Sequence, residues 1–205
     1  MKSWRKAVRK AMRDAAEQQA KGSHQSFNYR WEHVQAVVDT AVKLANLVGG
    51  DVDIVEAAAW LHDIRKETGD QHPVKGAKFA RTFLPKTDFP KKKIEAVAQA
   101  IEDHMGLWRD KPLKNLESQI LWDADKLTKI GAMAISHRVG GQLTKNKPIS
   151  TREMLENGRS VDWLHKTAAS MHTKPARRAA KKRVKSFDKL WEMLALELDN
   201  TDLAL

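Results

Sequence analysis

Apolar side chains recur at steps of three and four residues along almost the whole of this 205-residue chain, and no segment alternates apolar and polar residues two by two. A period near 3.6 puts such side chains on one face of a helix, whereas a half-buried strand needs a period of two. The chain is therefore expected to be all-α. Val34, Val37, Val38, Ala41, Val42 and Ala45 form one stripe, on a helix over 31–48 that Gly49-Gly50 ends. Asp53, with Glu56 three residues on, has the pattern of a capping box opening a second helix, whose Ile54, Ala57, Ala58 and Leu61 face inward. That helix delivers His62 and Asp63 near its end.

Pro73 suits the first turn of a helix over 74–83. Ile94, Val97, Ala98 and Ile101 mark the next, which carries His104 close to its C-terminal end. A long helix is expected over 116–139, with Ile120, Leu121, Ala124, Leu127, Ile130, Gly131 and Ala134 on its buried side and Gly140-Gly141 stopping it. Residues 142–160 read as a loop with a short helix at 151–156. Ala176, Ala180, Val184, Phe187, Trp191, Leu194 and Leu198 then define an amphipathic helix of more than five turns. Internal repeats and low-complexity linkers are lacking. The expected organisation is a basic helical extension at 1–22, with Trp4, Val8, Met12 and Ala15 on one side, a core at 28–140, and C-terminal helices at 141–205 packing on that core.

Composition narrows the chemistry. Without cysteine there is no disulfide, no thiolate zinc site and no cysteine nucleophile, which fits a reducing compartment. No apolar run approaches the roughly 20 residues of a membrane span, and residues 1–21 lack the apolar segment of a signal peptide. A soluble, cytoplasmic protein is expected. The formal charge of +11 sits at the two ends: residues 1–22 hold seven basic and two acidic side chains, and residues 174–189 hold eight and one. The rest is nearly neutral, so the net charge says little about the chemistry of the body.

His33, the His62-Asp63 doublet, His72, His104 and Asp125 fall on successive helical segments. Imidazole and carboxylate are the ligands that a hard or borderline divalent ion takes when no thiolate is present. Mn, Fe, Co, Ni, Mg and Zn all suit such a set, and an ion held from several helices would cross-link the bundle.

The stretches Arg30-Trp31-Glu32-His33-Val34, Ala58-Ala59-Trp60-Leu61-His62-Asp63-Ile64-Arg65-Lys66 and Asp123-Ala124-Asp125-Lys126-Leu127 resemble, in order, the spaced H, HD and D ligands of the HD-domain metal-dependent phosphohydrolases. The C-terminal third resembles the last helices of small stand-alone bacterial members of that superfamily, some of which act on nucleoside triphosphates. The resemblance implies a divalent ion on His33, His62, Asp63 and Asp125, and it favours Asp125 over Asp123 because the family's pattern puts the metal on the Asp preceding the Lys/Arg-Leu pair. His72 and His104 resemble the extra histidines of two-metal branches, including hydrolases of dinucleoside polyphosphates and cyclic dinucleotides, or they bind substrate phosphate. Arg65 departs from the family's usual glycine and adds a cation, while Lys66 keeps its basic position.

The implied reaction is hydrolysis of a phosphoester or phosphoanhydride, with a nucleotide as the small-molecule substrate and metal-activated water as nucleophile. Lys66, Arg65 and Lys126 are candidates to neutralise the transferred group, and Glu67 or Asp63 to accept a proton. Lys126 also reads as a solvated helix residue. His137 and Arg138 are candidates for the substrate rim. A competing reading is a nucleic-acid-binding protein using Lys174, Arg178, Lys181, Lys182, Lys185 and Lys189, which share one helix face.

Overall fold

The computed structural model describes residues 3–21, 30–143 and 148–204. Among these, ten α-helices and four short stretches of tighter helix account for the regular structure, with no strand, in accord with the all-α expectation. The helices are α1 (Trp4–Lys21), α2 (Arg30–Val48), α3 (Val52–Leu61), α4 (His72–Phe83), α5 (Ile94–Asp103), α6 (Leu116–Leu127), α7 (Ala132–Leu143), α8 (Thr151–Arg159), α9 (Trp163–Ala169) and α10 (Lys174–Asp199). Helices α2, α3, α5 and α6 pack on one another, α4 lies along α5, α1 crosses α3, and α10 runs past α6, α7, α8 and α9. The join expected at 22–28 and part of the expected loop, 144–147, lie outside the described residues.

The stripes read from sequence are the faces that meet. Val37, Ala41, Leu61, Ile101, Ile120, Leu121 and Trp122 are wholly buried. Each large apolar side chain so buried stabilises the fold by about 1.5–3 kcal/mol relative to exposure. Trp4, Val8, Met12 and Ala16 pin α1 to this core. Ala15, read onto this side from sequence, is half-buried and packs against the core beside the fully covered Ala16. Trp4 meets Phe89 edge-on at 5.1 Å and its backbone N–H donates to Asp88.

Three local expectations need correction. The N-cap of α3 is Asp51, whose carboxylate accepts from the backbone of Asp53 and Ile54. Asp53 and Glu56 instead pair with Arg5 of α1, at 2.7 and 2.9 Å, so what resembled a box is a tertiary contact. The expected helix over 116–139 is two helices. Gly131 breaks it with φ +79°, and a β-carbon there would stand 2.7 Å from the β-carbon of Arg183. Gly140 and Gly141 do not stop α7, which continues to Leu143. Finally, α8 reaches Arg159, opened by a capping box between Ser150 and Glu153. Gly158 near its end lets the Trp191 ring approach the backbone, since a β-carbon would meet that ring at 2.4 Å.

Candidate metal centre

His33 sits on α2, His62 caps α3, Asp63 follows it, His72 opens α4, His104 caps α5 and Asp125 lies on α6. All six are buried and their side chains converge. Asp63 is the hub. Its Oδ2 lies 3.8 Å from His33 Nε2 and 3.7 Å from His62 Nε2, and its Oδ1 lies 3.4 Å from His72 Nε2 and 3.8 Å from His104 Nε2. Asp125 Oδ1 is 3.2 Å from His33 Nε2 and 3.9 Å from His62 Nε2. Two triads follow, His33 with His62 and Asp63, and Asp63 with His72 and His104, each with its ligand atoms within 4.8 Å of one another.

Hydrogen bonds on the far side of each ring fix which nitrogen faces inward. His62, His72 and His104 place Nδ1 at 2.7, 2.6 and 2.5 Å from the carbonyls of Ala59, Gly69 and Ile101. A carbonyl only accepts, so each Nδ1 carries the hydrogen and each Nε2 presents a lone pair. Thr128 Oγ1 donates to the Asp125 carbonyl and therefore accepts from His33 Nδ1, 3.1 Å away. His62 Nε2 is buried and makes no hydrogen bond among the described residues. His72 and His104 point Nε2 at Nε2 across 3.1 Å. Two lone pairs at that separation repel unless a cation or proton lies between them. Ligands about 2.1 Å from one ion sit roughly 3–3.5 Å apart, so both triads fit a divalent cation after small adjustments.

The electrostatics agree. Burial pushes His62 down to about 3, so it is a neutral ligand at neutral pH. Burial also lowers His33 and His72. Burial alone would raise Asp63, but the adjacent cations, Lys66 and Arg30, outweigh it and hold the carboxyl well below the usual range. Asp125 is likewise held down, against burial, by Lys126 and Lys129. Four cations surround the two carboxylates: Arg30 Nη1 lies 2.5 Å and Lys66 Nζ 3.2 Å from Asp63, Lys129 Nζ lies 2.7 Å from Asp125, and Lys126 also pairs with Asp125. A cleft of about 280 Å³ opens here, lined by Lys66, His72, His104, Lys126 and Lys129, with Met105 and Leu107 as an apolar lip.

Residues 30–130 match the family model described as the HD domain. The chain carries an HD domain over this stretch. Among solved structures it is similar to a predicted HD superfamily hydrolase from an uncultured Thermotogales bacterium, at 25% identity over 94% of this chain and 92% of that one, TM-score 0.67. It shares its fold with YpgQ of Bacillus subtilis, at 20% identity over 95% of each chain, TM-score 0.70. The fold is also that of YpgQ in complex with ADP, at 21% identity over 96% of this chain and 94% of that one, TM-score 0.69. No curated protein matches the chain at a significant level.

Not every candidate residue reaches the HD cluster. Arg65 is exposed and stacks over Phe79 at 5.1 Å, and Glu67 is bonded to Gln19 of α1. Lys126, read from sequence also as a solvated helix residue, is buried, donates to the His104 carbonyl and has its ammonium pulled down to about 8 by burial. Asp123 is occupied elsewhere, accepting from the backbones of His172 and Thr173 and from His172 Nδ1. His137 and Arg138 line a separate cavity beyond Lys129. The exposed α10 cations, from Lys174 to Lys189, do not line the cleft. Sequence reading passed over Arg30 and Lys129 as site residues. Arg30 stands three residues before His33, on the same helix face, and Lys129 stands four after Asp125; those spacings were the available signal. Among the described residues no helix is long and apolar enough to cross a membrane.

Proposed function

We propose that this HD-domain protein is a metal-dependent phosphohydrolase that cleaves phosphoester or phosphoanhydride bonds of nucleotides. The observation that carries the reading is the convergence of four imidazole Nε2 atoms and two ionised carboxylates in one buried cluster, of which His72, His104 and Asp125 reach a cleft ringed by cations. His33, His62, Asp63 and Asp125 would hold one divalent ion, and Asp63 with His72 and His104 a second. When bound, such an ion supplies a Lewis acid for a phosphate oxygen and acidifies a water.

The chain's own residues do the rest. Lys66, Lys126 and Lys129 face the cleft and can donate to the oxygens of an anionic phosphate as its charge shifts toward the leaving group. Arg30 fixes the Asp63 carboxylate from outside the cleft. Of the two candidate proton acceptors, Asp63 stands in the buried cluster behind the cleft, whereas Glu67 is turned toward α1. The solved complex of YpgQ with ADP supports a nucleotide as the ligand class.

The test is a panel of nucleoside mono- and triphosphates, dinucleoside polyphosphates and cyclic dinucleotides, assayed for phosphate and pyrophosphate release with Mn²⁺, Co²⁺ or Mg²⁺. Turnover of at least one class that falls by a factor of 1000 or more in Asp63→Ala, with the helical circular dichroism retained, is the expected outcome. Turnover that survives in Asp63→Ala at the wild-type rate would sink the proposal.

A further inference from the structure

Lys129 lines two recesses. One is the cleft over the HD cluster; the other is a cavity of about 250 Å³ walled by His137 and Arg138 of α7, Trp163 and Leu164 of α9 and Phe187 of α10. Those five residues all come after residue 130, outside the stretch that matches the HD domain.

Arg138 is the first anomaly. It is half-buried, burial lowers its pKa, and its guanidinium donates to the Asn157 carbonyl at 2.5 Å while meeting no carboxylate among the described residues. A guanidinium has five N–H donors, so most of its capacity is left for an acceptor in the cavity. The composition of the walls is the second. A half-exposed indole and two buried apolar side chains face donors on Lys129 and Arg138. Such a mixture suits a flat ring bearing acceptor atoms, since every base has a π-face to lay on an aromatic side chain and an edge to accept hydrogen bonds. Contiguity is the third. Lys129 Nζ is 2.7 Å from Asp125 Oδ1, so a molecule in this cavity ends where the HD cluster begins.

We infer that this second cavity takes the nucleoside part of the substrate, the base lying against Trp163 with its acceptors toward Arg138, while the phosphates cross Lys129 into the cleft. The inference rests on the phosphohydrolase reading for the phosphate end. It makes α7, α9 and α10, rather than the HD stretch, the elements that select the substrate.

Equilibrium dialysis of the full chain with Mg²⁺, using a purine nucleoside diphosphate and inorganic pyrophosphate as separate probes, tests it. Wild type is expected to bind the nucleoside diphosphate at least tenfold more tightly than pyrophosphate. Trp163→Ala and Arg138→Met should each cut that advantage by about tenfold, and Trp163→Phe should keep most of it, with circular dichroism showing intact helices. Equal affinity of wild type for the two probes overturns the inference, as does an advantage untouched in both variants. Hydrolysis of a nucleoside triphosphate and of tripolyphosphate separates the two readings. Equal kcat/KM on both overturns the base site but keeps the phosphohydrolase. Base-dependent binding without hydrolysis of either keeps the base site and overturns the phosphohydrolase.

Discussion

Asp123 and Asp125 stand two residues apart on α6, both fully buried, and the structure gives them unlike tasks. Asp123 accepts three hydrogen bonds, from His172 N at 2.8 Å, Thr173 N at 2.7 Å and His172 Nδ1 at 3.1 Å. His172 in turn accepts from the Leu113 backbone through Nε2. Asp123 therefore ties the start of α10 and the segment before α6 to the core. Asp123→Ala strands these donors in a buried place. Hydrogen bonds to a charged acceptor contribute about 1.5–3 kcal/mol each, and three sharing one carboxylate add less than independently, which puts the loss at about 3–5 kcal/mol. For a chain of this size each kcal/mol moves Tm by roughly 2–4 °C, so a fall of about 6–20 °C is expected. Thermal denaturation followed by circular dichroism, with chelator and then with Mn²⁺, reads it. Asp123→Ala should melt early yet still gain stability with metal, whereas Asp125→Ala should lose the metal response. An Asp123→Ala protein that melts within 2 °C of wild type, or that no longer responds to metal, refutes this division of labour.

His62 gives a pH prediction. Its folded pKa, about 3, lies below the 6.5 of the unfolded chain, so between those values the unfolded state binds more protons and stability falls as pH drops. Metal-free protein should lose about 1.4 kcal/mol per pH unit from this one group across that window, and urea titrations of His62→Gln should show a slope shallower by about that amount. Gly131→Ala should cost about 1–3 kcal/mol, because it puts a side chain at φ +79° and against Arg183. It should also weaken metal binding by moving Thr128 and Lys129; a variant with unchanged Tm and metal affinity would show that this turn does not position them.

The helical faces were legible because an apolar stripe at a period of 3.6 is a local property, and the same stripes put His33, His62, His72, His104 and Asp125 near one another once the helices packed. Interactions set by distant chain were not legible. Asp53 and Glu56 looked like a cap until Arg5 took both, and residues 116–139 looked like one helix because Gly131 falls on the buried stripe whether or not the chain bends there. Lys126 read also as a solvated cation, since a lysine beside a ligand carries no local sign of burial. Arg30 and Lys129 gained their places from the packing of α2 against α3 and from the turn between α6 and α7.

Metal content measured by elemental analysis alongside nucleotide hydrolysis, on chelator-stripped protein as a divalent ion is restored, bears most directly on the central claim. Activity should rise with bound metal and level off at one or two ions per chain, and His62→Ala should neither retain the ion nor recover activity. Equal hydrolysis by stripped and loaded protein, or equal metal retention by wild type and His62→Ala, would contradict the account.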